Sequence, residues 1–218
     1  NTVIYTQQQM DQSGLFDLNS QPDQGETLQL GDAALVDFPT AFDRETSQAL
    51  FDRLYQDIPW RQESLWIGGK RREVPRLQCW MGDAASLYSY SGMRLQPVAW
   101  HSTVLEIRRR AEELSQCSFN SVLLNLYRDG LDSVAWHADD EAELGDDPVI
   151  ASVSLGADRP FQLKSRHSQP PEKHQIWLKN GSILVMGKGI QNRWLHQLPK
   201  VKSLKEARIN LTFRQVQK

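Results

Sequence analysis

Arg208-Ile209-Asn210-Leu211-Thr212-Phe213-Arg214 alternates polar and apolar residues without a break. Side chains two apart in a strand share a face, so Arg208, Asn210, Thr212 and Arg214 stand on one side and Ile209, Leu211 and Phe213 on the other. The plain reading is an edge strand with its polar face in water. The two guanidiniums become informative only if that face is buried, because a buried cation without an anionic partner is costly. A dicarboxylate bound there would supply the partner through bidentate Arg–carboxylate bonds. Upstream of this strand lie further short apolar runs, at Ser121–Tyr127, Val149–Leu155, Phe161–Lys164, Gln175–Leu178, Ile183–Met186 and Trp194–Leu198. Asp129-Gly130, Gly145-Asp146-Asp147-Pro148, Pro170-Pro171, Asn180-Gly181 and Gly187-Lys188-Gly189 separate them with turn chemistry. With a final strand taken as Arg208–Val216, this spacing predicts an all-β sandwich or jelly roll.

Towards the N-terminus the periodicity changes. From Phe42 the apolar residues Ala49, Leu50, Leu54 and Ile58 recur near helical spacing, and Asp43 is placed to cap. A second helix is predicted over about 100–115, with Val104, Leu105, Ala111 and Leu114 on one side and Arg108, Arg109 and Arg110 towards solvent. Residues 60–100 carry Trp60, Trp66, Trp80, Tyr88, Tyr90 and Trp100 among basic residues, Gly and Pro, and read as short strands and exposed loops. Residues 1–30 are rich in Gln, Asp, Ser and Gly with no sustained period.

The chain has 218 residues, 39% hydrophobic and 24% charged, which argues against a fibrous or wholly disordered protein. No stretch approaches the roughly 20 apolar residues of a membrane span, and the first ten lack the basic and apolar regions of a signal peptide. Cys79 and Cys117 form no ligand pair or disulfide framework, which fits a reducing compartment. The expected setting is cytoplasmic in a bacterium, or nuclear and cytoplasmic in a eukaryote. Within a net charge of −2, residues 1–50 hold eight acids against Arg44 alone, a net of −7 that leaves +5 for the remainder. A mildly basic body is compatible with a polyanionic partner.

His137-Ala138-Asp139 follows a strand and a glycine turn, and in extended chain its imidazole and carboxylate project to one side. A third ligand from a distant strand would complete a two-histidine, one-carboxylate triad for Fe(II). Alone, such a pair is more often a surface loop. The other histidines are His101, at a helix start, His167 and His174, in a Pro- and Lys-containing loop, and His196, in an apolar strand. Asn125 and Tyr127, two apart on a strand, could donate to a bound co-substrate, or be satisfied locally.

Several blocks together carry a family resemblance. They are Asn125-x-Tyr127-x-x-Gly130-x-Asp132, His137-x-Asp139-Asp140-Glu141, Ile150-Ala-Ser-Val-Ser-Leu-Gly156, Gly181-Ser-Ile-Leu-Val-Met186, His196 in Trp-Leu-His-Gln-Leu-Pro, and Arg208-x-Asn210-x-Thr212-Phe213-Arg214. In this order, over roughly residues 60–216, the chain resembles the AlkB family of Fe(II)/2-oxoglutarate dioxygenases, and most of all its nucleic-acid dealkylating branch. The resemblance implies a double-stranded β-helix, mainly β with flanking helices, in which His137, Asp139 and His196 hold Fe(II). Arg208 and Arg214 would bind the two carboxylates of 2-oxoglutarate, assisted by Asn125, Tyr127 and Asn210. The family consumes O2, releases CO2 and succinate, and hydroxylates an N-alkyl group whose hemiaminal collapses to formaldehyde and the repaired base.

The same resemblance assigns Tyr88, Tyr90, Ser91, Asp140 and Glu141 to a pocket for a flipped base. For the two tyrosines, ordinary core packing is the competing role. Lys70, Arg71, Arg72, Arg76 and Arg94 would contact phosphates, or be solvated surface residues. Trp136 fits either core or substrate. Residues 1–35 are expected to be an acidic, poorly ordered leader, and 36–218 a single catalytic domain with a substrate lid at 60–100 and a jelly-roll core at 118–218. Family members that invade duplexes carry a bulky aromatic wedge in the hairpin that here reads Trp66-Ile67-Gly68-Gly69-Lys70. The glycine favours single-stranded alkylated DNA, with duplex DNA and RNA as further substrates, and a monomer is expected. Bases of the 1-methyladenine and 3-methylcytosine types are the expected targets. The alternatives are an oxygenase of the same type acting on another substrate class, and a silent nucleic-acid binding module.

Overall fold

Two antiparallel sheets enclose the centre of the protein in the computed structural model, which describes residues 24–83, 88–90, 93–95 and 97–217. The chain opens with strands β1 (Glu26–Leu30) and β2 (Ala33–Phe38), then helix α1 (Arg44–Asp57) and the hairpin β3 (Arg61–Ile67) and β4 (Lys70–Gly82). A small hairpin, β5 (Tyr88–Tyr90) and β6 (Met93–Leu95), precedes helix α2 (Ser102–Ser115). The rest alternates strands and turns: β7 (Ser121–Tyr127), β8 (Val134–His137), β9 (Ile150–Gly156), β10 (Arg159–Ser165), β11 (Lys173–Leu178), β12 (Ile183–Met186), a single helical turn α3 (Ile190–Arg193), β13 (Trp194–Leu198) and β14 (Arg208–Arg214). Eight strands form the major sheet in the order β1-β2-β12-β9-β14-β7-β4-β3, and four form the minor sheet in the order β11-β10-β13-β8. The expected double-stranded β-helix, a jelly roll, is the fold.

The alternation in β14 explains the layering. It is no edge strand: β7 flanks it on one side and β9 on the other, with Asn210 opposite both Asn125 and Ser154. Ile209, Leu211 and Phe213 join Val122, Leu124, Leu126, Ala151, Val153 and Leu155 in an apolar layer beneath Leu50 and Leu54 of α1 and Val104, Ile107 and Ala111 of α2. The opposite face of the same strands points between the sheets. One half of that space is filled by Leu35, Ile150, Leu184 and Met186 against Phe161, Leu163, Leu178 and Trp194. The other half is polar and holds the site.

Local chemistry fixes the helix starts. Asp43 accepts from the Thr46 amide at 2.7 Å. His101 caps α2, its Nδ1 accepting from the Thr103 amide. Gly130, in the turn after β7, needs its missing side chain, since a Cβ there would run into the Val201 carbonyl. Its amide and carbonyl bind Leu204 O and Val201 N, tying the turn to the loop before β14.

Four expectations change. Glu26–Leu30 and Ala33–Phe38 are paired strands, so order begins inside the 1–35 segment expected to be a loose leader, while residues 1–23 lie outside the described residues. The hydrophobic set Leu28, Leu30, Ala33 and Leu35 is too short on either side of Gly31 to show a period, yet it closes the end of the core. The 60–100 segment is not all short strands: β4 runs 13 residues, and its second half, Leu77–Gly82, pairs with β7 in the major sheet. Leu105, expected on the inner side of α2, is 38% exposed, and Ile107 takes the buried position. The last strand ends at Arg214 rather than Val216.

Candidate metal and co-substrate centre

His137 ends β8 and His196 lies opposite it on β13, the two being register partners in the minor sheet. Their rings meet edge to face with centroids 4.3 Å apart. Asp139 lies just beyond the end of β8. One ligand atom from each of His137, Asp139 and His196 falls within 4.8 Å of the others, and among the described residues no other group of His, Cys, Asp or Glu does so. Each is prepared for a cation. The His137 Nδ1 lies 2.8 Å from the Ala135 carbonyl, which can only accept, so Nδ1 carries the proton and Nε2 keeps its lone pair. Burial, aided by the neighbouring His137, pushes the His196 pKa down to about 3, against the pull of Asp139. The imidazole is therefore neutral, the form that ligates. Burial alone would raise Asp139, but the Arg214 guanidinium beside it outweighs that and holds the carboxyl near 2.

The wall opposite is the polar face of the major sheet. Arg76, Asn125, Tyr127, Ser152, Arg208, Asn210, Thr212 and Arg214 line one pocket with the three clustered residues. Arg214 Nη2 donates to Asp139 Oδ1 at 2.9 Å. Asn210 donates to Ser152 Oγ and to the Val153 carbonyl, and Thr212 donates to Asn210 Oδ1. Arg208 is 1% exposed, donates to Ser154 Oγ at 2.9 Å and lies 5.3 Å over the Tyr127 ring. Its Nε is buried without a hydrogen-bond partner, and no carboxylate pairs with it among the described residues. Burial lowers its pKa to about 10, which leaves it charged at neutral pH. A buried, charged, unmatched guanidinium lining the same pocket as a two-histidine, one-carboxylate cluster fits a group that chelates a cation at one end and is anionic at the other. The residues present therefore suit Fe(II) and 2-oxoglutarate.

Several site residues were not visible in the sequence. Arg159 is fully buried on β10, donates to the carbonyls of Asp129, Asp132 and Pro199, and faces the Tyr127 ring from 5.6 Å, so this ring sits close to two guanidiniums. Gln78 and Arg76 both donate to Asn125 Oδ1, at 2.9 and 2.8 Å. Arg76 was expected on phosphates and is corrected here: Val74, Arg76, Gln78 and Trp80 share the inward face of β4, and Arg76 is 5% exposed. Its alternation with Gln78 was the available signal. Ser152 and Ser154 alternate in the same way within an otherwise apolar run.

The remaining candidates lie around the mouth or away from it. Lys70, Arg71 and Arg72 are exposed beside Gly68 and Gly69, with Trp66 across from Arg71 and 76% exposed. Tyr88 and Tyr90 are on β5, whereas Ser91 lies outside the described residues. Asp140 is exposed and pairs with Arg166 at 2.8 Å in a separate surface cleft. Glu141 heads a short 3-10 turn, with one carboxylate oxygen buried. Trp136 is half-buried under the Lys164 ammonium, 4.6 Å from the ring centre. His174 pairs with Glu172, away from the cluster.

The family model described as 2OG-Fe(II) oxygenase superfamily matches residues 34–214. Among curated proteins, the cattle alpha-ketoglutarate-dependent dioxygenase alkB homolog 3 is 38% identical over 82% of this chain and 64% of its own. The human protein of the same name is 34% identical over 95% of this chain and 72% of its own. The mouse DNA oxidative demethylase ALKBH2 is 36% identical over 83% and 79%. Among solved structures, that of OsALKBH1 superposes with a TM-score of 0.62 at 16% identity, covering 86% of this chain and all of the other, a likeness of fold.

Proposed function

The chain belongs to the AlkB family within the 2OG-Fe(II) oxygenase superfamily, and on that premise we propose that it removes alkyl groups oxidatively from nucleic-acid bases, 1-methyladenine and 3-methylcytosine types first. The observation that carries this reading is one pocket in which His137, Asp139 and His196 converge opposite the unmatched Arg208. Relatives named DNA oxidative demethylase, at 34–36% identity, supply the substrate class. Bound Fe(II) and 2-oxoglutarate, with O2, provide the oxidation, with release of CO2 and succinate.

The protein's residues bind and orient. His137, Asp139 and His196 would hold the cation, a ligand set that leaves coordination sites for co-substrate and O2. Arg208, with the Tyr127 ring against it, would bind the distal carboxylate, and Arg214, paired with Asp139, would bind the other. Asn125 and Asn210 line the floor of the pocket with amide groups that would assist in holding the co-substrate. Hydroxylation of the N-methyl carbon gives a hemiaminal, and loss of formaldehyde returns the proton to the ring nitrogen. By the family likeness, Tyr88, Tyr90 and Ser91 are assigned to the flipped base and Glu141 to its polar edge, whereas Asp140 is engaged by Arg166 in its own cleft.

Single-stranded nucleic acid is the preferred form, RNA included. Gly68 and Gly69 both have positive φ and open space where a Cβ would stand, so the hairpin tip offers no bulky wedge. Trp66, with Lys70, Arg71 and Arg72, instead offers a stacking surface set among cations, as single-strand binders use. No helix among the described residues is long and apolar enough to cross a membrane. A monomer acting in the cytoplasm or nucleus accords with this reading. The test is demethylation of a 1-methyladenine oligonucleotide presented single-stranded and in a duplex. Faster single-strand repair, reduced several-fold by Trp66→Ala with no change in oligonucleotide-free succinate formation, is expected; equal rates on both substrates would remove the strand preference.

A further inference from the structure

Asp139 lies past the end of β8, where no ladder partner receives its backbone N–H, so that donor must be satisfied elsewhere. It donates to Gln191 Oε1 at 3.0 Å in a buried contact. Gln191 is wholly buried on α3, and its amide nitrogen turns to Met186 Sδ at 3.5 Å. The backbone carbonyl of Gln191 accepts from Arg166 Nη1 at 3.1 Å, and the same nitrogen reaches Asp140 Oδ2 at 2.8 Å. Two consecutive residues of the ligand segment are thus fastened to one helical turn, Asp139 through a buried side chain and Asp140 through a surface guanidinium.

We propose that Gln191 is a positioning residue for the metal centre, with α3 acting as the strut that sets the direction of the Asp139 carboxylate. Rotation of that side chain is already restricted by Arg214 at one oxygen. What remains free is the backbone it hangs from, and Gln191 takes up that freedom. The residue type suits the task. The amide oxygen accepts the Asp139 N–H, the amide nitrogen rests on a thioether, and no second negative charge is buried beside Asp139. Gln191 is wholly buried and is not among the residues that line the pocket, so it acts only through the ligand. Partners behind metal ligands typically change metal affinity 10- to 100-fold when removed. The inference rests on the reading of His137, Asp139 and His196 as the Fe(II) site.

The experiment is a titration of the metal-free protein with Mn(II), followed by loss of the free-ion electron paramagnetic resonance signal, which needs no turnover. Gln191→Met keeps the volume and removes the acceptor. Its Kd for Mn(II) is expected to rise about tenfold, with an unchanged far-ultraviolet circular dichroism spectrum. A folded Gln191→Met protein with the wild-type Kd overturns the proposal, since a residue that merely fills the core would change the melting temperature and leave the Kd alone. If Gln191→Met does not fold, Arg166→Met decides, because Arg166 is exposed and lies outside the core: a weaker Mn(II) affinity supports the strut and an unchanged one overturns it. Failure of the wild-type protein to bind Mn(II) removes the metal-site reading itself and is distinguishable from both.

Discussion

Arg208 is the side chain whose environment asks most plainly for a ligand. It is buried and charged, and among the described residues Ser154 and Tyr127 attend it while no carboxylate does. Arg214 on the same strand has Asp139 within 2.9 Å, so the two guanidiniums, six residues apart, do different work. Arg208→Met should therefore raise the Kd for 2-oxoglutarate by ten- to a hundredfold, the about 1.5–3 kcal/mol of a charge-assisted hydrogen bond. It should also raise the melting temperature of the ligand-free protein, because an unmatched buried cation has been removed. Isothermal calorimetry with Mn(II)-loaded protein measures the first effect and differential scanning calorimetry the second. A drop in stability with unchanged 2-oxoglutarate affinity would make Arg208 a structural residue.

At the scale of elements, the end of the major sheet holds a titratable weak point. Asp37 on β2 faces Glu26 across the β1–β2 ladder, a like-charge pair, and one of its oxygens is buried without a partner. Burial first, and Glu26 second, raise its pKa to about 6, against the pull of Lys179. The folded state thus binds a proton more tightly than the unfolded chain, and stability falls as pH rises between about 4 and 6. Asp37→Asn should stabilise the protein at pH 7 by on the order of 1 kcal/mol, with the advantage gone below pH 4. Paired melting curves at the two pH values check it. The same strands show where sequence reading stops. The alternation in β14, the His137–Asp139 pair and the turn glycines were legible because each is a local pattern with one physical meaning. Burial of the polar face of β14 was not, since alternation looks alike at an edge and in mid-sheet. Arg159 was missed because a lone arginine in a strand carries no mark of the side it faces, and Arg76 was assigned to phosphates although its alternation with Gln78 placed it on the inward face. The β1–β2 hairpin escaped because its apolar residues act against strands β9 to β13, far along the chain.

For the whole molecule, the charge is small and unevenly placed. The body carries +5 against −7 in the first 50 residues, and three exposed cations stand in a row on one hairpin at Lys70, Arg71 and Arg72. Electrostatic attraction to nucleic acid should therefore be modest and local. Neutralising all three should lower the slope of log affinity against log salt for a single-stranded oligonucleotide by about 2, with 2-oxoglutarate affinity unchanged. Fluorescence anisotropy across a salt series reads it directly, and an unaltered slope would move the nucleic-acid path away from the hairpin. The architecture accommodates that path well. The helices cover the far face of the major sheet, and the pocket lies between the two sheets.

The central claim is that the pocket between the sheets carries out oxidative dealkylation of a base. The protein, loaded with Fe(II) and 2-oxoglutarate without air, is mixed with a single-stranded oligonucleotide bearing 1-methyladenine and exposed to O2, and the oligonucleotide is weighed by mass spectrometry. Loss of one methyl group, with formaldehyde and succinate formed in step and neither seen with Asp139→Ala, is the predicted result. Succinate formation with the methyl group intact, on this base and on 3-methylcytosine, would contradict the account.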